Sequence, residues 1–234
     1  MTVIKKNTED KSSNIPARTI GHSPQQNLKN AVQKIYTDEE IATFRMDEAI
    51  TNHPLYSRPI TIRSKLAYKE LINNMKSTSK YLLPGTVCLF EYMEPKYKEE
   101  LEYYDRTPLV LFFGITRTND GNIREVGLNL HYYPPFTRAR ILSNVYRLWK
   151  GYFGDNFNKD THKVNPGISY AVLKRLMRRD AKIAFGVKMY IPTLRANSYV
   201  LPTRLIPTAF FTEGNFSKAT RAQVRSFWRK FSRF

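Results

Sequence analysis

Between residues 84 and 135 the chain has few conformations open to it. Pro84-Gly85 starts a turn, and Thr86–Met93 follows as an apolar run of strand length. Pro108–Thr116 (Pro-Leu-Val-Leu-Phe-Phe-Gly-Ile-Thr) is a second such run, and Ile123–Tyr133 is a third that partly alternates and stops at Pro134-Pro135. Runs of this length, rich in β-branched and aromatic residues and bounded by turn residues, pair as β-strands. Asn119-Asp120-Gly121-Asn122 lies between the second and third runs. Such residues accept the positive φ of a tight hairpin, so these two runs should be antiparallel neighbours. The second run is too apolar for a sheet edge, where charged side chains normally block further pairing. The acidic, aromatic stretch Glu94 to Asp105 reads as a long loop.

Helical patterns surround this core. Ser23-Pro24 is an N-cap followed by proline at the first helical position, and Thr37-Asp38-Glu39-Glu40 is a capping box. They predict helices over 24–35 and 38–50, the second stopped by Asn52-His53-Pro54. Ile62, Leu66, Leu71, Ile72 and Met75 predict a helix over 61–77. Thr137–Lys150 would bury Ile141, Leu142, Val145, Leu148 and Trp149, and Ile168–Arg179 is a second helix in this half. Residues 183–191 and 198–211 are β-branched and aromatic and offer one or two further strands, interrupted by Pro192, Pro202 and Pro207. The expected fold is α+β: a small antiparallel sheet, open or closed as an SH3-like β-barrel, with flanking and inserted helices. The expected organisation is a disordered or extended arm over 1–22, a helical N-terminal segment over 23–80 and an α+β core domain over 81–234.

Charge divides the chain in another way. Of the net +18, residues 1–125 contribute +2 and residues 126–234 contribute +16, the latter holding only Asp155, Asp160, Asp180 and Glu213 as acids. Such asymmetry is the footprint of a surface facing phosphates, or of one matched to an acidic protein neighbour. Ser217 to Phe234 reads as a helix with divided faces. At about 100° per residue, Lys218, Arg221, Arg225, Arg229 and Arg233 share one side, and Val224, Phe227, Trp228, Phe231 and Phe234 the other. That apolar face needs the chain's own core, a second subunit or a membrane surface. Lys174, Arg175, Arg178 and Arg179 form a second basic cluster on or near one helix face. The candidate nucleic-acid contacts are thus Arg138, Arg140, Lys174, Arg175, Arg178, Arg179, Arg221, Arg225 and Arg229.

Several function classes find no support. Cys88 is the single cysteine and sits in an apolar run, so neither a disulfide framework nor a zinc cluster is expected. His22, His53, His131 and His162 are scattered at no metal-ligand spacing. Glu91, Glu94, Glu99, Glu100, Glu102 and Asp105 are irregularly spaced on the expected loop. No stretch reaches the roughly 18 apolar residues of a membrane span, and the first residues lack the apolar core of a signal peptide. No phosphate-binding, dinucleotide, nucleophile-elbow or zinc-protease motif is present. The expectation is a non-enzymatic protein without metal or cofactor, working in a reducing cytosol or in a particle assembled there.

The sheet region carries a resemblance. Pro84-Gly85-Thr86-Val87-Cys88-Leu89-Phe90-Glu91-Tyr92, Tyr103-Tyr104-Asp105-Arg106-Thr107-Pro108-Leu109-Val110-Leu111 and Gly127-Leu128-Asn129-Leu130-His131-Tyr132-Tyr133-Pro134-Pro135 form an ordered series. It resembles virion proteins of T-even-type and related tailed phages, the DNA end protector or head-completion family, over about residues 84–142. The resemblance implies a virion component that binds packaged DNA without sequence specificity or sits at the head–tail vertex of a multi-subunit particle assembled in the host cytoplasm. A tail, baseplate or connector subunit facing acidic neighbours is the alternative. The strand pattern also faintly resembles the SH3-like barrel of toxin endoribonucleases, but a catalytic arginine with its partner cannot be placed. Asp105, Asn129 and His131 are polar residues within or beside apolar strands. They should form a buried hydrogen-bond network, because each left unpaired would cost roughly 1–3 kcal/mol.

Overall fold

In the computed structural model, residues 46–75, 82, 84–153 and 166–231 are described, and all of them fall in one unit, Asp38–Phe234. The arm over 1–22, the helix over 24–35 and most of the one over 38–50 lie outside the described residues. In chain order the elements are α1 (Met46–Thr51), α2 (Ile60–Asn74), β1 (Val87–Tyr92), α3 (Pro95–Glu100), β2 (Leu109–Arg117) and β3 (Ile123–Asn129). They continue with a 3-10 turn (Leu130–Tyr132), α4 (Pro135–Phe153), α5 (Pro166–Arg179), α6 (Ala181–Gly186), β4 (Val187–Tyr190), β5 (Arg195–Val200), α7 (Ile206–Ala209) and α8 (Arg221–Phe231).

The strands form one antiparallel sheet in the order β4-β3-β2-β1-β5, with the most apolar run, β2, at its centre. Val87 pairs with Leu111, Leu111 with Leu128, and Leu128 with Val187 across the sheet. The two faces bury different cores. Val87, Leu89, Leu109, Leu111, Phe113, Val126 and Leu128 pack under the helices, with Leu142, Val145 and Trp149 of α4, Val172, Leu173 and Leu176 of α5, and Ala67 and Leu71 of α2. Cys88, Phe90, Tyr92, Val110, Phe112 and Tyr190 fill the other face with Leu82 and Tyr104. Burial on both faces is why β1 and β2 are near-continuous apolar runs and not alternating ones.

The sheet is rolled. Tyr92 of β1 and Tyr190 of β4 meet edge to face with ring centroids 5.1 Å apart, although two strands separate them along the ladder. In a flat sheet that separation would be about 14 Å. Register shifts at Phe112/Gly114 and at Leu89/Glu91 supply the bend, as β-bulges do. Gly127 lies under the Val110 side chain of β2, and a Cβ there would overlap Val110 Cγ1. The edge strands β4 and β5 are consecutive in sequence, joined by a 3-10 turn at Pro192–Leu194. Arg195 of β5 reaches across to Glu125 of β3 in a two-pronged, nearly buried ion pair, with both N–O distances 3.1 Å.

Three stretches differ from the sequence expectation. Residues 94–105 contain α3, which places Pro95 at its first position, while the Glu94 carboxylate accepts from the Lys96 amide. The segment over 183–191 is half helix. Asp180 N-caps α6 by accepting from the Lys182 amide at 2.8 Å, and the strand begins only at Val187. Beyond Val200 the expected strand gives way to a 3-10 turn at Thr203–Leu205 and to α7. Prolines 202 and 207 have no N–H to offer a ladder, which keeps them out of a sheet interior.

Candidate nucleic-acid interface and the buried network behind it

The polar centre of the molecule is built where β3 ends. Asn129 caps the 3-10 turn, its side-chain oxygen accepting from the His131 amide at 3.0 Å, while its Nδ2 donates to Asp105 Oδ2 at 3.1 Å. His131 Nδ1 lies 2.8 Å from the same carboxylate oxygen, and its Nε2 lies 2.9 Å from Thr212 Oγ1. Asp105 Oδ1 accepts from the amides of Thr107 and Asn215, at 3.2 and 3.0 Å. The structure thus brings Asp105, Asn129 and His131 together, and adds Thr212, which nothing in the sequence singled out. All four are buried.

Burial acts to raise the Asp105 carboxyl, but His131, Asn129 and the Thr107 amide stabilise the charged form and hold it below its ordinary range. Burial pushes the His131 imidazole below its ordinary value, opposed in part by Asp105. Asp105, His131 and the Thr212 hydroxyl stand in a row, the order of an acid, a base and a nucleophile. However, Thr212 is completely buried and also donates to the Ala209 carbonyl at 2.6 Å, so the row ties segments together and presents no attacking oxygen to a solvent cleft.

Both groups are depressed, so the sign of their linkage to pH is the same. The unfolded chain takes up a proton on His131 below about pH 6.5, and the folded state resists it. That contribution is complete above pH 6.5 and is lost on acidification, at up to about 1.4 kcal/mol per pH unit for one histidine. The melting temperature should therefore fall from pH 7.5 to 5.5, and His131→Gln should flatten the decline. An unchanged melting temperature across that range in the parent protein would show that His131 is not held neutral.

Arg138 is the largest correction to the candidate contacts. It is fully buried, and it cannot reach a phosphate. Its Nε donates to the Tyr133 carbonyl, and its Nη1 donates to those of Phe210 and Thr212, each at 2.7 Å. Its guanidinium lies 5.3 Å from the Trp228 ring, and Trp228 Nε1 donates to the His131 carbonyl at 3.0 Å. Burial pushes this guanidinium down to about 9, so it remains charged at neutral pH. Through Trp228 and Val224, both buried, α8 docks on its own domain, with Phe227 stacked on Tyr103 at 5.0 Å. A capping box starts this helix. The Thr220 amide donates to Gln223 Oε1 at 2.8 Å, and the Gln223 amide to Thr220 Oγ1 at 3.3 Å.

The other candidates lie outside, in two groups. Lys174, Arg175, Arg178 and Arg179 are all exposed on α5, and Arg140 is exposed on the neighbouring α4. Neither α4 nor α5 contains an acidic residue. Arg221 and Arg225 gather instead about Glu213, at 3.6 and 3.5 Å, while Arg229 is exposed one turn further along α8. Around Glu213 the structure adds Arg63 and Lys65 of α2, cations from the near-neutral half of the chain. Among the described residues, no His, Cys, Asp and Glu cluster fit for a metal is present, and no helix is long and apolar enough to cross a membrane.

These features define an α+β protein whose helices carry cations outward from a rolled sheet with a buried polar knot. Residues 5–199 match the family described as the phage T4 terminal DNA protecting protein, and the chain belongs to that family. No curated protein and no solved structure matches it.

Proposed function

We propose that this chain is a non-enzymatic virion protein that binds the ends of packaged phage DNA without reading sequence, through phosphate contacts made by its basic C-terminal half. The observation that carries this reading is α5. Four exposed cations stand on a 14-residue helix with no acid, beside a 19-residue helix with none either. At about 100° per residue the four span roughly 140° of the helix surface, a stripe that follows a phosphate backbone. Arg140 stands beside it on α4, and Arg221, Arg225 and Arg229 of α8 form a second group of contacts. The rolled sheet is the scaffold and in this reading an SH3-like small barrel, supported by its strand order and by the single helical turn between its two edge strands.

Titrating a linear duplex into the protein at salt concentrations from about 50 to 200 mM tests the reading. Each neutralised phosphate contributes about −0.9 to the slope of log affinity against log salt, so a slope of about −4 or steeper is expected. A flat slope, or no binding at the lowest salt, overturns it.

A further inference from the structure

Between α2, the segment over 213–219 and the first turn of α8 lies a cavity of about 440 Å³, lined among others by Lys65, Tyr68, Thr107, Glu213, Asn215 and Arg221. Arg63 and Arg225 stand close to it around Glu213. Their charges are not settled by what is present. Glu213 meets Arg221 and Arg225 only at 3.6 and 3.5 Å, which is ion-pair distance but too long for a good hydrogen bond. The Nε of Arg63, the Nε and Nη2 of Arg225 and the Oε2 of Glu213 are buried with no hydrogen-bond partner. Buried guanidinium N–H groups without an acceptor are costly, and a group of them around Glu213, beside the cavity, points to an anion that completes the site.

Lys65 and Arg221 in the lining, with Arg63 and Arg225 beside it, set four cations around one carboxylate, a local surplus of about three charges. Its volume admits a phosphate and part of a sugar but not the cross-section of a duplex, a size that suits a strand terminus. A phosphate monoester at a terminus carries about −1.5 to −2 charges, where an internal diester carries one. Both the shape and the charge therefore select an end over the middle of a duplex.

We propose that this cavity captures the terminal phosphate of a DNA end. Arg221 and Arg225 exchange their long contacts with Glu213 for direct, charge-assisted hydrogen bonds to the phosphate oxygens, and Lys65 adds a point charge. Glu213 is the placeholder anion that keeps the guanidinium groups in position while the cavity is empty. The inference rests on the proposed DNA binding and names the part of the DNA that is recognised.

The test uses the full chain and a duplex with one end closed by a hairpin loop. The open end carries a 5′-phosphate, a 3′-phosphate or only hydroxyls. A phosphorylated end should bind about tenfold or more tightly than the hydroxyl end, and which phosphate is preferred identifies the strand that enters. Lys65→Ala, at an exposed position outside the proposed duplex contacts, should erase that preference while leaving binding to closed circular duplex intact, and Arg221→Ala should erase it while also weakening circular duplex by its one phosphate contact. Glu213→Gln should tighten the phosphorylated end and leave the hydroxyl end unchanged. Equal affinities for phosphate and hydroxyl ends overturn the inference, as does a preference that survives both cation variants. In either case salt-dependent binding of circular duplex would still stand, so the two readings fail separately.

Discussion

Arg138→Ala should destabilise the protein more than any other single change among its basic candidate positions, by about 3–5 kcal/mol. That corresponds to roughly 10 °C or more in melting temperature for a domain of this size. Three carbonyls, those of Tyr133, Phe210 and Thr212, lose their donor in a dry interior, and the Trp228 ring loses the group it covers. Each orphaned carbonyl costs about 1–3 kcal/mol and the void adds more. Arg138→Lys should recover little. A single ammonium cannot present an Nε to one carbonyl and an Nη to two others on a second segment. Arg140→Ala, two residues along the same helix and exposed, should lie within about 0.5 kcal/mol of the parent. Thermal unfolding of the three variants separates the two roles. If Arg138→Ala melts with the parent and instead loses DNA affinity, the guanidinium is not the internal clamp that its contacts describe.

Arg138 also shows where the sequence was readable and where charge misled. It lies four residues before Leu142, seven before Val145 and eleven before Trp149, on the buried stripe of its helix, and all four are fully buried. That spacing points inside, but its charge led to the surface reading as a nucleic-acid contact. Periodicity prevails because three carbonyls converge where the side chain arrives. The sheet was legible for a related reason. Its apolar runs are long because both faces are buried, and Gly121 at φ 80° closes the hairpin the turn residues announced. Asp105, Asn129 and His131 were visible as polar residues in apolar surroundings. Thr212 was not, because it directly follows a segment, 198–211, whose β-branched composition suggests a strand until Pro202 and Pro207 are given their weight. Arg63 and Lys65 left no trace, since a cation in a neutral half looks like ordinary surface until folding carries it beside Glu213. The capping box at Thr220 and Gln223 went unread, and the helix expected from Ser217 starts at Arg221.

The largest functional effect should come from α5. Replacing Lys174, Arg175, Arg178 and Arg179 together by alanine should reduce the magnitude of the salt slope by up to about 3.6, and lower duplex affinity at about 150 mM salt by a hundredfold to a thousandfold. The fold should tolerate the change. All four side chains are exposed, and alanine is the best helix former. The losses are the favourable placement of Arg178 and Arg179 in the last helical turn and the Lys174 ammonium over the Tyr170 ring, at 5.0 Å from its centroid. Each is worth at most about 1 kcal/mol. Far-ultraviolet circular dichroism and the melting temperature should therefore stay close to the parent while binding collapses. An intact slope in the quadruple variant would remove α5 from the interface and leave α8 and the cations around Glu213 to carry it. A reduced slope with an undiminished preference for a phosphorylated end would divide the work: α5 grips any duplex through its backbone, and the cavity between α2 and α8 tells an end from a middle.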